Sequence, residues 1–275
     1  MSLFVASLNS GSNGNCYYVG NDEDAVLIDG GISCREIEKR MKRLGLSLRK
    51  VKGVFVTHEH GDHIHGVASL SKKHRIGVYI NANTRNAGNM KLLDEYVHLL
   101  SCNTTVTIGG IRITAFPKKH DAIEPVSFMV SSDTVNVGIF TDIGVACENV
   151  VSNFRNCHAA FLESNYDELM LDQGGYPLAL KNRIRGGYGH LSNKQARQLF
   201  ITHRPSFMSH LFLVHLSQNN NHPRIVRDTF YPVAGDTQII IASRERESKL
   251  FHIRNTSSSK REPVRARFAE QLTMF

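Results

Sequence analysis

The stretch that decides the fold of this chain reads Val54-Phe55-Val56-Thr57-His58-Glu59-His60-Gly61-Asp62-His63. Its apolar start predicts a strand, and the polar residues that follow predict a metal-binding loop at the end of that strand. Residues i and i+2 of an extended segment lie on the same side, so His58 and His60 can bind one ion. After a turn, Asp62 and His63 face a second ion. Imidazole and carboxylate ligands suit zinc, manganese or iron.

Four more apolar segments predict strands that lead to an acidic residue or a histidine: Ala25–Ile28 before Asp29, Ile111–Phe116 before His120, Gly138–Thr141 before Asp142, and Leu211–Val214 before His215. Together with the metal loop, these residues resemble in type and order the motifs of the metallo-β-lactamase superfamily, over residues 29–215. The resemblance implies the α/β (α+β) fold of that superfamily, an αββα sandwich in which helices cover the outer faces of two packed sheets.

The resemblance also implies how the cofactor is bound. It predicts two divalent metal ions per chain, which are zinc, manganese or iron. Asp29 would lie behind the loop and orient it through hydrogen bonds. The implied ligands are His58, His60 and His120 for one ion, Asp62, His63 and His215 for the other, and Asp142 as a bridge between them.

The chemistry expected from this resemblance is hydrolysis. Two cations of such a site share a hydroxide that attacks the substrate, and Asp62 is expected to orient that hydroxide. The antibiotic-hydrolysing members of the superfamily carry a cysteine at the position of Asp142. Hydrolysis of penicillin-type compounds is therefore not expected.

Longer runs narrow the resemblance to the YycJ/WalJ/VicX group, whose members are metal-dependent DNA nucleases. These runs cover residues 10–16, 57–66, 117–121, 163–167, 186–193 and 215–220. The resemblance implies a DNA exonuclease that acts 5′ to 3′ on double-stranded DNA, in DNA repair or processing. The segment from Asp142 to His215 is too short for the large inserted domain of the RNase J and cleavage-factor branch, so we expect a fold without one.

A candidate proton donor follows from Gly189-His190-Leu191-Ser192, which resembles a histidine motif of the RNase Z branch. In that branch the histidine protonates the departing oxygen, which a phosphodiester hydrolase needs because an alkoxide is a poor leaving group. Glu163, at the end of a predicted strand, is a candidate to orient His190. The alternative, that His190 is an ordinary residue at a helix start, stays open.

The Gly/Ser/Asn loop at residues 10–15 offers backbone N–H groups to a phosphate. We predict Ser12, Asn13 and Asn15 as phosphate- or substrate-binding residues, together with Ser217 from the last motif. A plain hairpin turn is an equally good interpretation of this loop.

Composition sets the limits of these interpretations. The chain has 275 residues, of which 41% are hydrophobic and 21% charged, as expected for one globular domain with a sizeable core. We place that domain at residues 1–254. The sequence has no apolar run of the roughly 18 residues that a membrane span needs and no signal-peptide pattern, so a cytoplasmic protein without membrane contact is expected. Five cysteines without CxxC pairing predict reduced thiols.

The formal charge of +8 favours a polyanionic partner. Nucleic acid is the expected partner, with DNA favoured over RNA because of the resemblance. A basic cluster precedes the metal loop: Lys39, Arg40, Lys42, Arg43, Arg49, Lys50 and Lys52. Three alternatives stay open, namely an RNA-processing nuclease of RNase Z type, a thioester or lactone hydrolase of glyoxalase type, and a non-catalytic binding module.

Residues 255–275 differ from the rest of the chain and predict a flexible basic tail. Its last residues include Gln271, Leu272, Met274 and Phe275, and they resemble the Gln-Leu-x-Leu-Phe peptide that docks on the β sliding clamp of bacterial replication. A short apolar peptide of this kind suits a hydrophobic cleft. The alternative is that the tail packs on its own domain or on a second copy.

Local patterns also predict individual elements. Helices are expected from about Cys34 to Leu44 and near 86–96, and a strand at Ala159–Glu163. Ser192 followed by Gln195 predicts a capping box at the start of a further helix.

Overall fold

Two seven-stranded sheets lie face to face in the computed structural model, which describes residues 2–255. With strands numbered in chain order, the first sheet contains β1 Leu3–Asn9, β2 Cys16–Gly20, β3 Ala25–Ile28, β4 Val51–Phe55, β5 Gly77–Ile80, β6 Val97–Leu99 and β14 Phe251–Ile253. Their order across the sheet is β14-β1-β2-β3-β4-β5-β6. Strands β3 to β6 run parallel, and the strands on the other side pair antiparallel.

The second sheet repeats this plan. It contains β7 Thr105–Ile108, β8 Ile111–Pro117, β9 Val126–Ser131, β10 Asn136–Phe140, β11 Ala159–Glu163, β12 His210–Val214 and β13 Gln238–Ile241, in the order β13-β12-β11-β10-β9-β8-β7. Strands β10 to β13 run parallel, and β7 to β10 pair antiparallel. Each sheet therefore has one parallel half, whose strand ends suit a binding site.

Helices cover the outer faces of both sheets, which confirms the αββα sandwich. The helices are α1 Cys34–Arg43, α2 Gly61–Ile64, α3 Val67–His74, α4 Ala82–Ala87, α5 Glu148–Phe154, α6 Glu168–Gln173, α7 Leu178–Arg185, α8 Asn193–His203 and α9 Pro223–Phe230. Helices α1 and α3 pack on the first sheet, and α5, α8 and α9 on the second. The segment between β10 and β12 holds only α5, β11 and α6 to α8, so no large domain is inserted there.

The main core lies between the sheets and is rich in aromatic rings. Phe55 stacks on Tyr79 with ring centroids 4.4 Å apart, and Phe161 stacks on Phe212 at the same distance. Alternation along β2 sends Tyr17 into this core, while the next residue, Tyr18, packs among the residues under the helices of the first sheet. Each fully buried large apolar side chain contributes about 1.5–3 kcal/mol, which fixes the two sheets against each other.

Most of the predicted elements are present, and one is wrong. The Ser192 capping box is confirmed, because Ser192 Oγ accepts from Gln195 N at 3.2 Å and Gln195 Oε1 accepts from Ser192 N at 2.9 Å. The helix expected near residues 86–96 instead ends at Ala87. Asn81 caps this helix early by accepting a hydrogen bond from the backbone of its first turn, and Asn89 adopts a left-handed φ of 45° that stops it.

Other expectations concern the environment of the chain. No helix within residues 2–255 is long and apolar enough to cross a bilayer. The five cysteines are free thiols. The predicted tail and its clamp-binding residues lie outside the described residues, except for Asn255.

Candidate active site

The predicted site residues meet at one edge of the sandwich because they follow parallel strands. Asp29 comes after β3 and the metal loop after β4, in the parallel half of the first sheet. Asp142 follows β10, Glu163 ends β11, and His215 follows β12, in the parallel half of the second sheet. The carboxyl ends of these strands face the same way, so both sheets supply side chains to a single cleft.

Three of these strand-end residues have an unusual backbone. Asp29, Asp142 and His215 adopt left-handed φ angles of 60°, 55° and 57°. Residues other than glycine rarely adopt this conformation, which costs on the order of 1–3 kcal/mol at strained functional positions and persists where the surroundings hold it. The turn it produces directs each side chain away from the strand and into the cleft.

The first cluster consists of three imidazole nitrogens. His58 Nε2 lies 3.1 Å from His60 Nδ1, which lies 3.4 Å from His120 Nε2. Adjacent ligands around a tetrahedral cation with bonds of 2.0–2.1 Å are about 3.3 Å apart. The spacing therefore fits one divalent cation.

The protonation of this cluster also suits metal binding. Burial lowers the pKa of His58 well below its usual range and that of His120 to about 4, so both imidazoles are neutral. His58 Nδ1 lies 2.9 Å from Thr57 Oγ1, and His120 Nδ1 donates to Gly189 O at 3.1 Å. Each ring thus has its other nitrogen free to face the cluster.

The second cluster joins a carboxylate to two imidazoles. Asp62 Oδ2 lies 3.5 Å from both His63 Nε2 and His215 Nε2. His63 Nδ1 contacts Asp29 Oδ2 at 2.7 Å, so Asp29 lies behind the metal loop, and its orienting role stays a prediction. His215 Nε2 is buried and makes no hydrogen bond to any residue that the structure describes. A bound cation would give this nitrogen a partner.

Asp142 lies between the two clusters. Its Oδ2 is 3.0 Å from His63 Nε2, and its Oδ1 is 3.8 Å from His120 Nε2. Burial would lower the pKa of His63, but the charges of Asp142, Asp29 and Asp62 raise it to about 10. The cleft therefore attracts positive charge, and the imidazole and carboxylate donors fit divalent cations.

Glu163 connects the metal ligands to the predicted proton donor. It is fully buried, and its Oε1 lies 2.8 Å from His190 Nδ1 and 2.9 Å from His215 Nδ1. Its Oε2 accepts from Ile143 N at 2.7 Å and from Leu191 N at 3.2 Å. Burial would raise the pKa of Glu163, but His190 and His215 hold it at about 2, so the group is a carboxylate.

The four predicted phosphate-binding residues are in different environments. Asn15 is fully buried and donates from Nδ2 to Asp62 Oδ2 at 3.2 Å. Asn13 and Ser12 are exposed, and both contact Arg244. Asn13 Nδ2 donates to the carbonyl oxygen of Arg244 at 2.9 Å, and Ser12 Oγ accepts from its guanidinium at 3.4 Å. Ser217 Oγ accepts from a nearby backbone N–H at 3.2 Å. A role in substrate binding stays a prediction for these residues.

The structure also places residues near the site that the sequence did not single out. Arg183 on α7 pairs with Asp121 at 2.5 Å, and Asp121 Oδ1 lies 3.3 Å from His120 Nε2. Lys118 is buried and donates to Thr141 O at 2.6 Å, beside Asp142. Lys118 and Asp121 belong to the run 117–121 that carries the family resemblance, so the sequence offered a signal for them. The sequence offered no signal for Arg183, because only the folded chain brings α7 to the cleft.

The basic cluster before the metal loop has structural partners. Arg40 is buried and donates to Leu8 O at 2.8 Å, and Arg43 pairs with Glu247 at 2.6 Å. Lys52 lies at the start of β4, whereas the metal loop follows the end of that strand. Arg40 and Arg43 of this cluster are therefore held by contacts of their own, whereas Arg183 on α7 contacts Asp121 beside the site.

Comparison with known proteins gives consistent results. The family model described as Metallo-beta-lactamase superfamily matches residues 10–172. The chain is 34% identical over 232 residues to Exodeoxyribonuclease YycJ of Bacillus anthracis, covering 82% of this chain and 87% of that protein. It is 32% identical over 219 residues to Exodeoxyribonuclease WalJ of Streptococcus pneumoniae serotype 2, covering 78% and 81%. Among solved structures, the metallo-beta-lactamase fold protein YhfI from Bacillus subtilis has a TM-score of 0.72 at 15% identity and covers 92% of this chain and 100% of its own.

Proposed function

The chain belongs to the metallo-beta-lactamase superfamily, among its YycJ/WalJ-type members, and is a metal-dependent hydrolase; we propose that it cleaves DNA phosphodiesters as a 5′ to 3′ exonuclease on double-stranded DNA. The observation that carries this proposal is the position of His190. Its Nδ1 contacts the buried Glu163 carboxylate and lies 3.6 Å from Asp142 Oδ1. A proton donor beside a metal centre suits esters whose leaving group is a poor one, such as the alkoxide of a nucleotide.

The metal centre follows from the two clusters. We assign His58, His60 and His120 to one divalent cation and Asp62, His63 and His215 to a second, with Asp142 between them. Zinc, manganese or iron would suit these donors. Such cations lower the pKa of bound water and neutralise charge on the phosphoryl group.

The side chains of this protein supply the remaining steps. Glu163 accepts the Nδ1 proton of His190, so Nε2 of that ring faces outward and its proton can pass to the leaving oxygen. The contact with Glu163 also fixes the orientation of the His190 ring. The His190 side chain is 22% exposed, so a substrate can reach it.

Basic residues on α7 support a nucleic-acid substrate. Lys181, Arg183 and Arg185 lie on this helix. Arg183 contacts Asp121, which lies beside His120 of the first cluster, whereas Lys181 and Arg185 contact Asp172. Arg183 is 63% exposed at its side chain, so a phosphate can replace Asp121 as its partner. We expect these residues to bind the DNA backbone in a salt-dependent manner.

The C-terminal residues carry a separate part of the proposal. We propose that residues 1–254 form the hydrolase domain and that 255–275 act as a tether, with Gln271, Leu272, Met274 and Phe275 docking on the β sliding clamp. A tether of this kind raises the local concentration of DNA without changing the active site.

The deciding experiment uses the purified full-length protein with end-labelled single- and double-stranded DNA and RNA, each with added manganese, zinc or magnesium. We expect release of the label from the 5′ end of duplex DNA, dependent on the added metal. Preferential cutting of RNA would instead support an RNA-processing enzyme. Thioester hydrolysis without nucleic-acid cleavage would refute the nuclease proposal. A His190→Ala preparation purified in parallel excludes a contaminating nuclease, because a contaminant would remain active in it.

A further inference from the structure

A line of hydrogen bonds joins the backbone of His215 to the carboxylate of Asp62. His215 N donates to Ser10 Oγ at 2.7 Å, and Ser10 Oγ lies 3.0 Å from the Tyr17 hydroxyl. Tyr17 donates to Asn15 Oδ1 at 3.1 Å, and Asn15 Nδ2 donates to Asp62 Oδ2 at 3.2 Å. The three intervening residues are buried. We call them the Ser10–Tyr17–Asn15 network.

The direction of these hydrogen bonds is fixed by the groups at each end. Gly11 N also donates to Asn15 Oδ1, at 3.1 Å, so this oxygen faces Tyr17 and the amide nitrogen must face Asp62. Tyr17 has one proton, which it gives to Asn15, and Ser10 must therefore donate to the oxygen of Tyr17. Every donor in the network thus points toward Asp62. Hydrogen bonds aligned in this way polarise one another.

The network connects two residues of the second cluster that come from different sheets. His215 follows β12 of the second sheet, whereas Asp62 lies in the short helix α2 after β4 of the first sheet. A second contact supports the same geometry, because Asn15 N donates to the carbonyl oxygen of Asp62 at 2.7 Å. The Asn15 amide also lies 3.1 Å from His63 Nε2, so it touches two members of the second cluster.

We propose that the Ser10–Tyr17–Asn15 network is a positioning device that sets the distance between His215 and Asp62 and aims the Asp62 carboxylate into the second metal site. This gives Asn15 a task inside the protein, and its role in substrate binding stays a separate prediction. The inference rests on the proposed metal assignment and extends it to residues that touch no substrate. Residues that orient ligands in this way typically change metal affinity or activity by about 10–100-fold when they are replaced.

The test removes single hydrogen-bonding groups. Tyr17→Phe deletes only the central hydroxyl, and Asn15→Ala deletes the contact with Asp62. Both variants and the double variant are titrated with cobalt(II), which reports ligand geometry through its visible spectrum, and kcat and KM are measured on duplex DNA. For Tyr17→Phe we expect an altered spectrum, weaker binding of one cobalt ion by roughly 10-fold, and a lower kcat with unchanged KM. In the double variant we expect no greater loss than in Asn15→Ala alone, because the two residues act through one pathway.

The matched control is Tyr18→Phe, which deletes a hydroxyl from the next residue of β2. Tyr18 is also buried, at 2% exposure, but it packs on the opposite face of the sheet. This variant should bind cobalt and cleave DNA like the wild type, and thermal unfolding of each variant shows that it is folded.

Several outcomes would overturn the proposal. They are wild-type spectrum and kcat in Tyr17→Phe, the same losses in Tyr18→Phe, and additive losses in the double variant. If Asn15→Ala does not fold, Tyr17→Phe alone still decides the question. A wild-type protein that shows the expected cobalt response but cuts no DNA would refute the nuclease proposal and leave the network intact.

Discussion

Replacing Glu163 with glutamine tests the connection between the metal centre and the proton donor. The carboxylate of Glu163 accepts four hydrogen bonds, two from backbone N–H groups and two from the Nδ1 atoms of His190 and His215. Glutamine has nearly the same shape but offers one oxygen and one NH₂ group. Backbone N–H groups can only donate, so the amide oxygen must face Ile143 and Leu191. The NH₂ group then faces both imidazoles.

The consequence is a change of tautomer in both rings. Each Nδ1 must accept a hydrogen bond from the glutamine, so the proton of each neutral ring moves to Nε2. His215 then presents N–H instead of a lone pair to the second metal site. His190 loses the carboxylate that accepts its Nδ1 proton and orients its ring. Two charge-assisted hydrogen bonds of about 1.5–3 kcal/mol each are lost, which corresponds to a ~10²–10⁴-fold lower kcat.

The assay combines elemental analysis of the purified Glu163→Gln variant with kcat on end-labelled DNA. We expect both metal content and kcat to fall. Glu247→Gln is the control, because it makes the same chemical change at a residue that pairs with Arg43 away from the cleft. A Glu163→Gln protein with full metal content and wild-type kcat would refute the reasoning about tautomers.

The remaining predictions address other parts of the protein. Asp142→Asn should reduce metal content at both sites, since this carboxylate lies between them; unchanged occupancy by elemental analysis would contradict a bridge. His190→Ala should keep its metal but cleave DNA ~10²–10⁴-fold more slowly, whereas an aryl phosphodiester with a good leaving group should be affected less; equal slowing of both substrates would argue against a proton donor. Burial lowers the pKa of His210 from 6.5 to about 4, so the unfolded state takes up a proton first and the free energy of unfolding should fall as pH drops through this range. His210→Gln should show a smaller drop in denaturant titrations, and an identical pH dependence would show that His210 is not responsible. Deleting residues 271–275 should abolish binding to the purified sliding clamp while cleavage of short free DNA continues; a full-length protein that never binds the clamp would end that hypothesis.

The sequence was sufficient for the fold because the strands depend on local patterns, whereas the assignment of ligands to two ions stays a prediction. Apolar segments that end in His58 or Asp142 indicate strands and strand-end residues without knowledge of the folded chain. The spatial contacts of Asn15 were not accessible in this way. A Gly/Ser/Asn loop suggests phosphate binding, and only the folded chain, in which Asn15 contacts Asp62 through its backbone and its side chain, shows that the Asn15 amide is turned inward.

The neighbours of the cleft were hidden for a related reason. Arg183 lies in a helix whose sequence shows no motif, and it comes close to His120 only in the folded chain, through its contact with Asp121. The helix predicted near residues 86–96 is wrong because Gly88 and Asn89 end the preceding helix at Ala87. Local stop signals decided the structure there.

The left-handed backbone at Asp29, Asp142 and His215 has a consequence for how such proteins evolve. Glycine adopts this conformation without steric cost, so these three positions keep a strained backbone for the sake of their side chains. Asp29 also holds the metal loop through Thr57 and His63, and its loss would leave buried groups without their partner. In descendants that abandon catalysis, Asp142 and His215, the proposed metal ligands, should therefore drift to glycine before Asp29 does, and glycine at either position would identify an inactive member from its sequence.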